Sequence, residues 1–209
     1  MILKWSRDNT KVSKLDAVSF GIPAYRSEDG FKTCPQAGAC AAVCYARQGT
    51  YTFSVVKQAR EYNLAYFRLK GFINFVNSAI EDLNRIRAKY VRVHDSGDFF
   101  NQRYLDAWGA IAWAMPEKTF YAYTKSIHLD FSRMPKNFKI TQSMGGKLDD
   151  SIDESLSHSR IFSSHKAMKA AGYVDGNVND LPAIKGVNKI GLVYHGVKNL
   201  TPAQEEYFK

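Results

Sequence analysis

Short strand-like segments alternate with helical patterns along most of this chain, and that alternation limits the folds it can adopt. Five segments rich in β-branched or aromatic side chains predict strands at 90–94, 119–124, 137–142, 160–164 and 190–194. Apolar residues at helical spacing predict helices over 101–115 and 166–171. Such alternation favours a largely parallel sheet with helices packed on it. We expect an α/β fold, either a partial (β/α) barrel or an open, mostly parallel sheet, in a single domain over residues 1–209.

The segment before the first of these strands predicts further helices. Residues 1–33 mix short apolar pieces with turn formers and predict a strand or two with loops. Gly71 separates two helical patterns, the second of which ends near Lys89. In the first pattern the residues predicted to face inward are Val55, Ala59, Tyr62, Tyr66 and Leu69.

The composition is that of a globular, unexported protein. Apolar residues make up 45% of the 209 residues, which is enough for a proper core. No apolar run approaches the length of a membrane span, and the first residues lead into no apolar signal core. We therefore expect no membrane association and a cytoplasmic location, whose reducing conditions suit unpaired cysteines.

Positive charge is concentrated in the first part of the chain. The formal net charge is +9, and residues 1–89 carry 14 Lys and Arg against seven Asp and Glu. An anionic partner such as nucleic acid is one interpretation of this basic half, and a solvated helix surface is the other.

All three cysteines of the chain, Cys34, Cys40 and Cys44, lie within eleven residues. An odd number of thiols cannot be fully paired in disulfides, whereas three thiolates can hold a metal or an iron–sulfur cluster and leave one coordination position open. A structural zinc site usually has a fourth Cys or a paired His nearby, and the next histidine is His94. We expect these three cysteines to ligate an iron–sulfur cluster, with zinc as the less favoured alternative.

Polar residues follow the predicted strands at the points where they end. These groups are 95–98, 124–126, 143–146 and His195. Because parallel strands present their carboxyl ends at one edge, where sites are usually built, we expect the groups to meet there.

Each polar group has a functional and a structural interpretation. Ser96, Gly97 and Asp98 form a turn at which a carboxylate can meet a ligand amine, although Asp98 could instead cap the following helix. Lys125 can hold a carboxylate or phosphate, or be an ordinary surface lysine. Ser143, followed by two glycines, can cradle an anion through backbone N–H groups or form a plain turn. The catalytic residues stay undefined.

Three stretches resemble the phage gene product 88 family. They are the cysteine loop from Cys34 to Arg47, the segment Val93-His-Asp-Ser-Gly-Asp-Phe-Phe-Asn101, and Phe120-Tyr-Ala-Tyr-Thr-Lys-Ser126. Weaker likeness continues to residues 194–196. This resemblance implies a location in the cytoplasm of a phage-infected host cell.

The organisation of these motifs is in turn similar to that of the radical S-adenosylmethionine superfamily. That likeness implies a [4Fe–4S] cluster on Cys34, Cys40 and Cys44, with S-adenosylmethionine at the open iron and an external electron donor. It also implies that Ser96-Gly97-Asp98 meets the methionyl amino group. Two alternatives stay open: an electron-transfer protein with His94, Asp95 or His195 as the fourth ligand, and a nucleic-acid-binding module with a structural metal.

Overall fold

The computed structural model describes residues 1–7, 10–194, 202 and 207, and these contain one eight-stranded sheet. Its strands are β1 (Trp5–Ser6), β2 (Ala17–Phe20), β3 (Tyr90–Val93), β4 (Thr119–Thr124), β5 (Phe138–Ser143), β6 (His158–Phe162), β7 (Val174–Asp175) and β8 (Lys189–Val193). They lie in the order β1-β2-β3-β4-β5-β6-β8-β7. Only β1 is antiparallel to its neighbour. The sheet is not closed, so of the two predicted α/β architectures the open, mostly parallel sheet is confirmed.

Five α-helices connect or flank these strands in the described chain. They are α1 (Thr10–Ser13), α2 (Ser54–Arg85), α3 (Gln102–Ala114), α4 (His165–Ala170) and α5 (Leu181–Ile184). The helix predicted over 101–115 begins one residue later, because the side chain of Asn101 caps it by accepting a hydrogen bond from the Tyr104 N–H at 2.9 Å. Every one of these helices is too short or too polar to span a bilayer.

One face of the sheet, which we call the apolar face, packs against α2 and α3. Side chains alternate along each strand, so Val91 and Val93 of β3 lie on the same side as Phe120 and Ala122 of β4. All four are buried in the main hydrophobic core, together with Trp108 of α3.

The opposite side of the sheet, which we call the polar face, carries a different set of residues. Arg92 of β3 is paired with Tyr121 of β4, and both are buried. The short helix α5 covers this face, where Ile184 packs in a small cluster with Tyr121 and Ile190. The polar face therefore combines a thin apolar contact with buried hydrogen-bonding groups.

The predicted inward stripe of the first part of α2 is wrong at three of its five positions, although Tyr66 does pack against the core. Val55 is 69% exposed and Leu69 is 81% exposed, and Tyr62 also lies at the surface, while Ala59 and Tyr66 are partly buried. The inward positions include Asn63, whose side-chain NH₂ donates to the Lys4 and Gly21 carbonyls at 2.8 and 2.9 Å. Asn63 can occupy this core position because its side chain is hydrogen-bonded to backbone carbonyls. A pattern of apolar residues cannot predict such a position.

The predicted interruption at Gly71 is confirmed. Its φ of 76° and ψ of −177° lie outside the helical region and divide α2 into two segments. Glycine adopts this conformation without a steric penalty, which explains why the interruption falls there.

Candidate functional site

The cysteine loop lies across the carboxyl edge of the sheet. Residues 21–33 connect the end of β2 to this loop, which is fixed at the end of β5, where the Cys40 N–H donates to the Gly145 carbonyl at 2.9 Å. Ala37 also forms an isolated antiparallel bridge with Gly146. The loop therefore passes the ends of β3 and β4 and brings the thiols to the edge where the polar strand ends lie.

Close backbone contact at this crossing requires glycine. A Cβ atom added at Gly38 would lie 2.9 Å from the Gly146 carbonyl oxygen. Real Cβ atoms do not approach backbone so closely, so the chain can cross there only without a side chain.

The three thiols are free and partly buried, and Cys44 is near enough to Cys34 and to Cys40 for their charges to interact. Burial raises the pKa of the Cys34 thiol to about 12, and the negative charge of nearby Asp98 raises it further, whereas the Tyr25 N–H donates to the Cys34 Sγ at 3.3 Å and opposes this shift. Burial also raises the pKa of Cys44, which the charges of Lys125 and Arg47 partly oppose. Within the part of the chain that the structure describes, no three His, Cys, Asp or Glu side chains converge as a preformed metal cage.

Hydrogen bonds join the ends of β3, β4 and β5 in a row. The buried Asp98 carboxylate accepts from the Thr124 hydroxyl at 2.6 Å and from the Lys125 N–H at 2.9 Å. The Lys125 ammonium in turn donates to the Ser143 hydroxyl at 2.7 Å. Asp98 also accepts from the adjacent Phe99 N–H at 2.7 Å, so its carboxylate is largely occupied by protein donors. Lys125 and Ser143 are partly exposed, and they are the members of the row that can still meet a ligand.

Ser96 and Gly97 fasten the end of β3 to the end of β2. The Ser96 hydroxyl donates to the Ile22 carbonyl, and the Ile22 N–H donates to the Ser96 carbonyl at 3.0 Å. Gly97 has a φ of 87°, and an added Cβ would lie 2.2 Å from Ile22 Cγ1. In this structure both residues hold two neighbouring strand ends together.

The glycines after Ser143 form an anion cradle that the protein fills with its own carboxylate. The N–H groups of Gly145 and Gly146 donate to Asp149 at 2.7 and 2.8 Å. These two N–H groups therefore already have an acceptor. At the end of β5, Ser143 is then the predicted residue that can still contact a ligand.

Two of the three residues considered as a fourth ligand are engaged elsewhere. His94 is buried among Phe99, Tyr104 and Trp108, and burial lowers the pKa of its imidazole to about 3. Asp95 forms a salt bridge with Arg60 at 2.9 Å. His195 lies outside the described residues.

A buried ionic pair beneath the cysteine loop has no counterpart among the predicted site residues. The Tyr45 hydroxyl, one residue after Cys44, donates to the Asp95 carbonyl and accepts from the Arg92 guanidinium at 3.1 Å. Arg92 also forms a salt bridge with Asp180 at 3.0 Å. The signal available in the sequence is an arginine in the middle of a strand pattern, which is an unusual place for a fully charged side chain.

The open, mostly parallel sheet, with a cysteine loop fixed across its carboxyl edge, defines an α/β protein whose candidate site is formed by thiols and strand ends. Residues 3–203 match the family described as Gene product 88, and the chain belongs to that family, as predicted. It is similar to the Gene 88 protein of Mycobacterium phage L5, with 34% identity over 118 residues that cover 52% of this chain and 48% of the phage protein. The chain thus matches about half the length of this curated relative. No solved structure matches it.

Proposed function

We propose that this protein binds an iron–sulfur cluster through Cys34, Cys40 and Cys44. The observation that carries the proposal is the position of the cysteine loop, which is fixed by backbone contacts over the carboxyl ends of parallel strands. That edge is where α/β proteins bind cofactors.

The donor chemistry of the loop fits such a cluster. Thiolates are the usual ligands of iron–sulfur clusters, and three of them leave one iron open. Burial disfavours free thiolates at Cys34 and Cys44, so a cationic metal centre would supply the missing compensation. Ligation would require the side chains to turn toward a common point.

The finer proposal is that S-adenosylmethionine binds at the open iron, as in the radical enzymes that the motifs resemble. A bound cluster would supply one electron for reductive cleavage, and an external donor would have to reduce it. The residues of this chain would orient the cofactor. Lys125 and Ser143 offer a cation and a hydroxyl to its carboxylate, while Asp98, assigned to the amino group by resemblance, already positions Lys125 through its backbone.

The proposed location is the cytoplasm of the phage-infected host cell. A reducing compartment keeps three unpaired cysteines available as ligands. The relationship to a protein of Mycobacterium phage L5 supports the phage origin on which this location depends.

Metal analysis of anaerobically purified protein tests the cluster. We expect iron and sulfide in near-equal amounts, and serine at Cys34, Cys40 or Cys44 should each remove most of the bound iron. Ala41→Ser is the matched control, because it adds a hydroxyl to the same loop and removes no thiol. Stoichiometric zinc without iron in protein kept free of oxygen would refute the cluster.

Paramagnetic resonance of the reduced protein separates the two kinds of iron–sulfur protein. Added S-adenosylmethionine should change the cluster spectrum, and Lys125→Met should weaken this response without loss of iron. Lys147→Met is the control, because the Lys147 ammonium binds the Pro35 carbonyl at 3.0 Å on the same loop but lies outside the row of strand-end side chains. An unresponsive spectrum in iron-loaded protein would favour the electron-transfer alternative.

A further inference from the structure

A cavity of about 410 Å³ lies beside the edge strand β1 and the end of α2. Its lining residues are Met1, Trp5, Arg7, Val18, Arg85, Ile86 and Arg87. Arg85, Ile86 and Arg87 lie at the end of α2, just before β3 begins at Tyr90. This cavity is therefore separate from the site at the carboxyl edge.

Three arginines line the cavity, and in the part of the chain that the structure describes two of them, Arg7 and Arg87, have no carboxylate partner. Arg7 donates to the Arg87 carbonyl at 2.9 Å, which places its guanidinium beside the end of α2. Across the described ranges, neither Arg7 nor Arg87 forms a salt bridge. Arg85 pairs with Glu81 at 2.7 Å, but both side chains are about half exposed, so this pair is weak and easily exchanged. Among the described residues, the lining of the cavity is therefore net positive, which favours an anionic ligand.

The remaining lining is apolar and partly aromatic. Trp5 is partly buried, with its indole N–H donating to Asp82 at 3.1 Å, so the ring is fixed in position. Val18 and Ile86 are buried beside it. A fixed aromatic ring with aliphatic neighbours suits the face of an unstacked base, whereas surrounding guanidiniums suit phosphates.

We infer that this cavity binds single-stranded nucleic acid, with a base on the Trp5 side and phosphates on Arg7 and Arg87. A duplex keeps its bases stacked and paired, so only a single strand can present both groups to the same concavity. The inference is independent of any cluster at the cysteine loop, and it gives the basic first half of the chain a definite contact surface.

Fluorescence anisotropy with a labelled single-stranded oligonucleotide, at several salt concentrations, tests this site. The double variant R7A/R87A should bind about tenfold more weakly at low salt, and the slope of log K against log salt should fall in magnitude by about 1.4, the contribution of two phosphate contacts on a single strand. The matched control is K166A/K169A, which removes two exposed cations from α4. It should leave affinity within about twofold and the slope unchanged.

Three results would contradict this binding site. Equal losses in the two double variants would show that only net charge matters and would overturn the site. Tighter binding to a duplex of the same sequence would overturn the single-strand assignment, and an absence of salt-dependent binding by the unchanged protein would overturn the inference altogether. Thermal unfolding of each variant checks that these results come from folded protein.

Discussion

The two faces of the sheet are made by the same strands, yet they are stabilised by different forces. On the apolar face, Phe20, Phe75 and Trp108 pack with ring centroids 5.0 to 5.8 Å apart. On the polar face, Arg92 and Asp180 are 7% and 1% exposed and depend on each other for compensation. Burial of apolar area stabilises the first face, whereas the second is stable only while each charge keeps its partner.

This difference has a consequence for function. Dispersion and the hydrophobic effect are non-directional, so the apolar face tolerates volume-conserving changes. The polar face is directional, because Arg92 reaches Asp180 on one side and the Tyr45 hydroxyl on the other. The polar face thus couples the cysteine loop to α5, and the apolar face supplies the rigid support.

Removing a ring from the apolar face should produce the largest loss of stability. Phe75 is fully buried and contacts Phe20, Phe67, Tyr104 and Trp108. Phe75→Ala should lower the free energy of unfolding by about 3–5 kcal/mol in urea titration. Ile73→Ala, two residues away and 71% exposed, should change it by less than about 0.5 kcal/mol. Similar losses in both variants would contradict the assignment of the buried side of α2.

Breaking the buried pair on the polar face should cost slightly less. Asp180→Asn keeps the side-chain shape but leaves the buried Arg92 guanidinium without its salt-bridge partner, and the free energy of unfolding should fall by about 3 kcal/mol. Glu81→Gln removes the same kind of charge from the exposed pair with Arg85, where both side chains are about half exposed, and should cost less than about 0.5 kcal/mol. Equal effects would mean that Arg92 and Asp180 are hydrated in solution.

Acid should destabilise the protein by favouring protonation of His94, which packs on the apolar face. The expected loss of unfolding free energy is smaller than for the two substitutions above. Burial lowers the pKa of this imidazole to about 3, below the usual value of about 6.5, so the unfolded chain binds the proton more readily. The contribution of His94 to the free energy of unfolding is complete above pH ~6.5 and is lost as the pH falls toward 3. Between pH 7 and 5.5 it decreases by about 1.3 kcal/mol.

The matched variant for this effect is His94→Asn. His94 has a φ of 68°, and asparagine tolerates that left-handed conformation. Urea titrations at the two pH values should show a difference between wild type and variant that shrinks at the lower pH. A constant difference would contradict a buried neutral imidazole.

Strands and helices could be predicted from the sequence where the residue types and the spacing of apolar residues indicate the same element. The prediction for 119–124 coincides with β4, because its buried aromatic and small side chains leave no helical period to compete. The meeting of Asp98, Lys125 and Ser143 followed from topology alone, since parallel strands end at one edge.

What could not be predicted depends on partners distant in sequence. The buried side of α2 is set by Asn63, which binds carbonyls of residues 4 and 21. The cradle after Ser143 is filled by Asp149, and Arg92 is compensated by Asp180, 88 residues further along the chain. Local periodicity contains no information on such pairs, whereas a buried polar group requires one. α5 was missed because four residues are too few to establish a period.

The crossing of the cysteine loop to the end of β5 also determines when the loop can be assembled. Residues around Ala37 pair with Gly146, so their partner emerges from the ribosome roughly a hundred residues later, or about 5–20 s at ordinary synthesis rates. During that interval the three thiols belong to a nascent segment without its anchor. The loop reaches its final geometry only after β5 has been synthesised and docked, so the candidate site is completed late in folding.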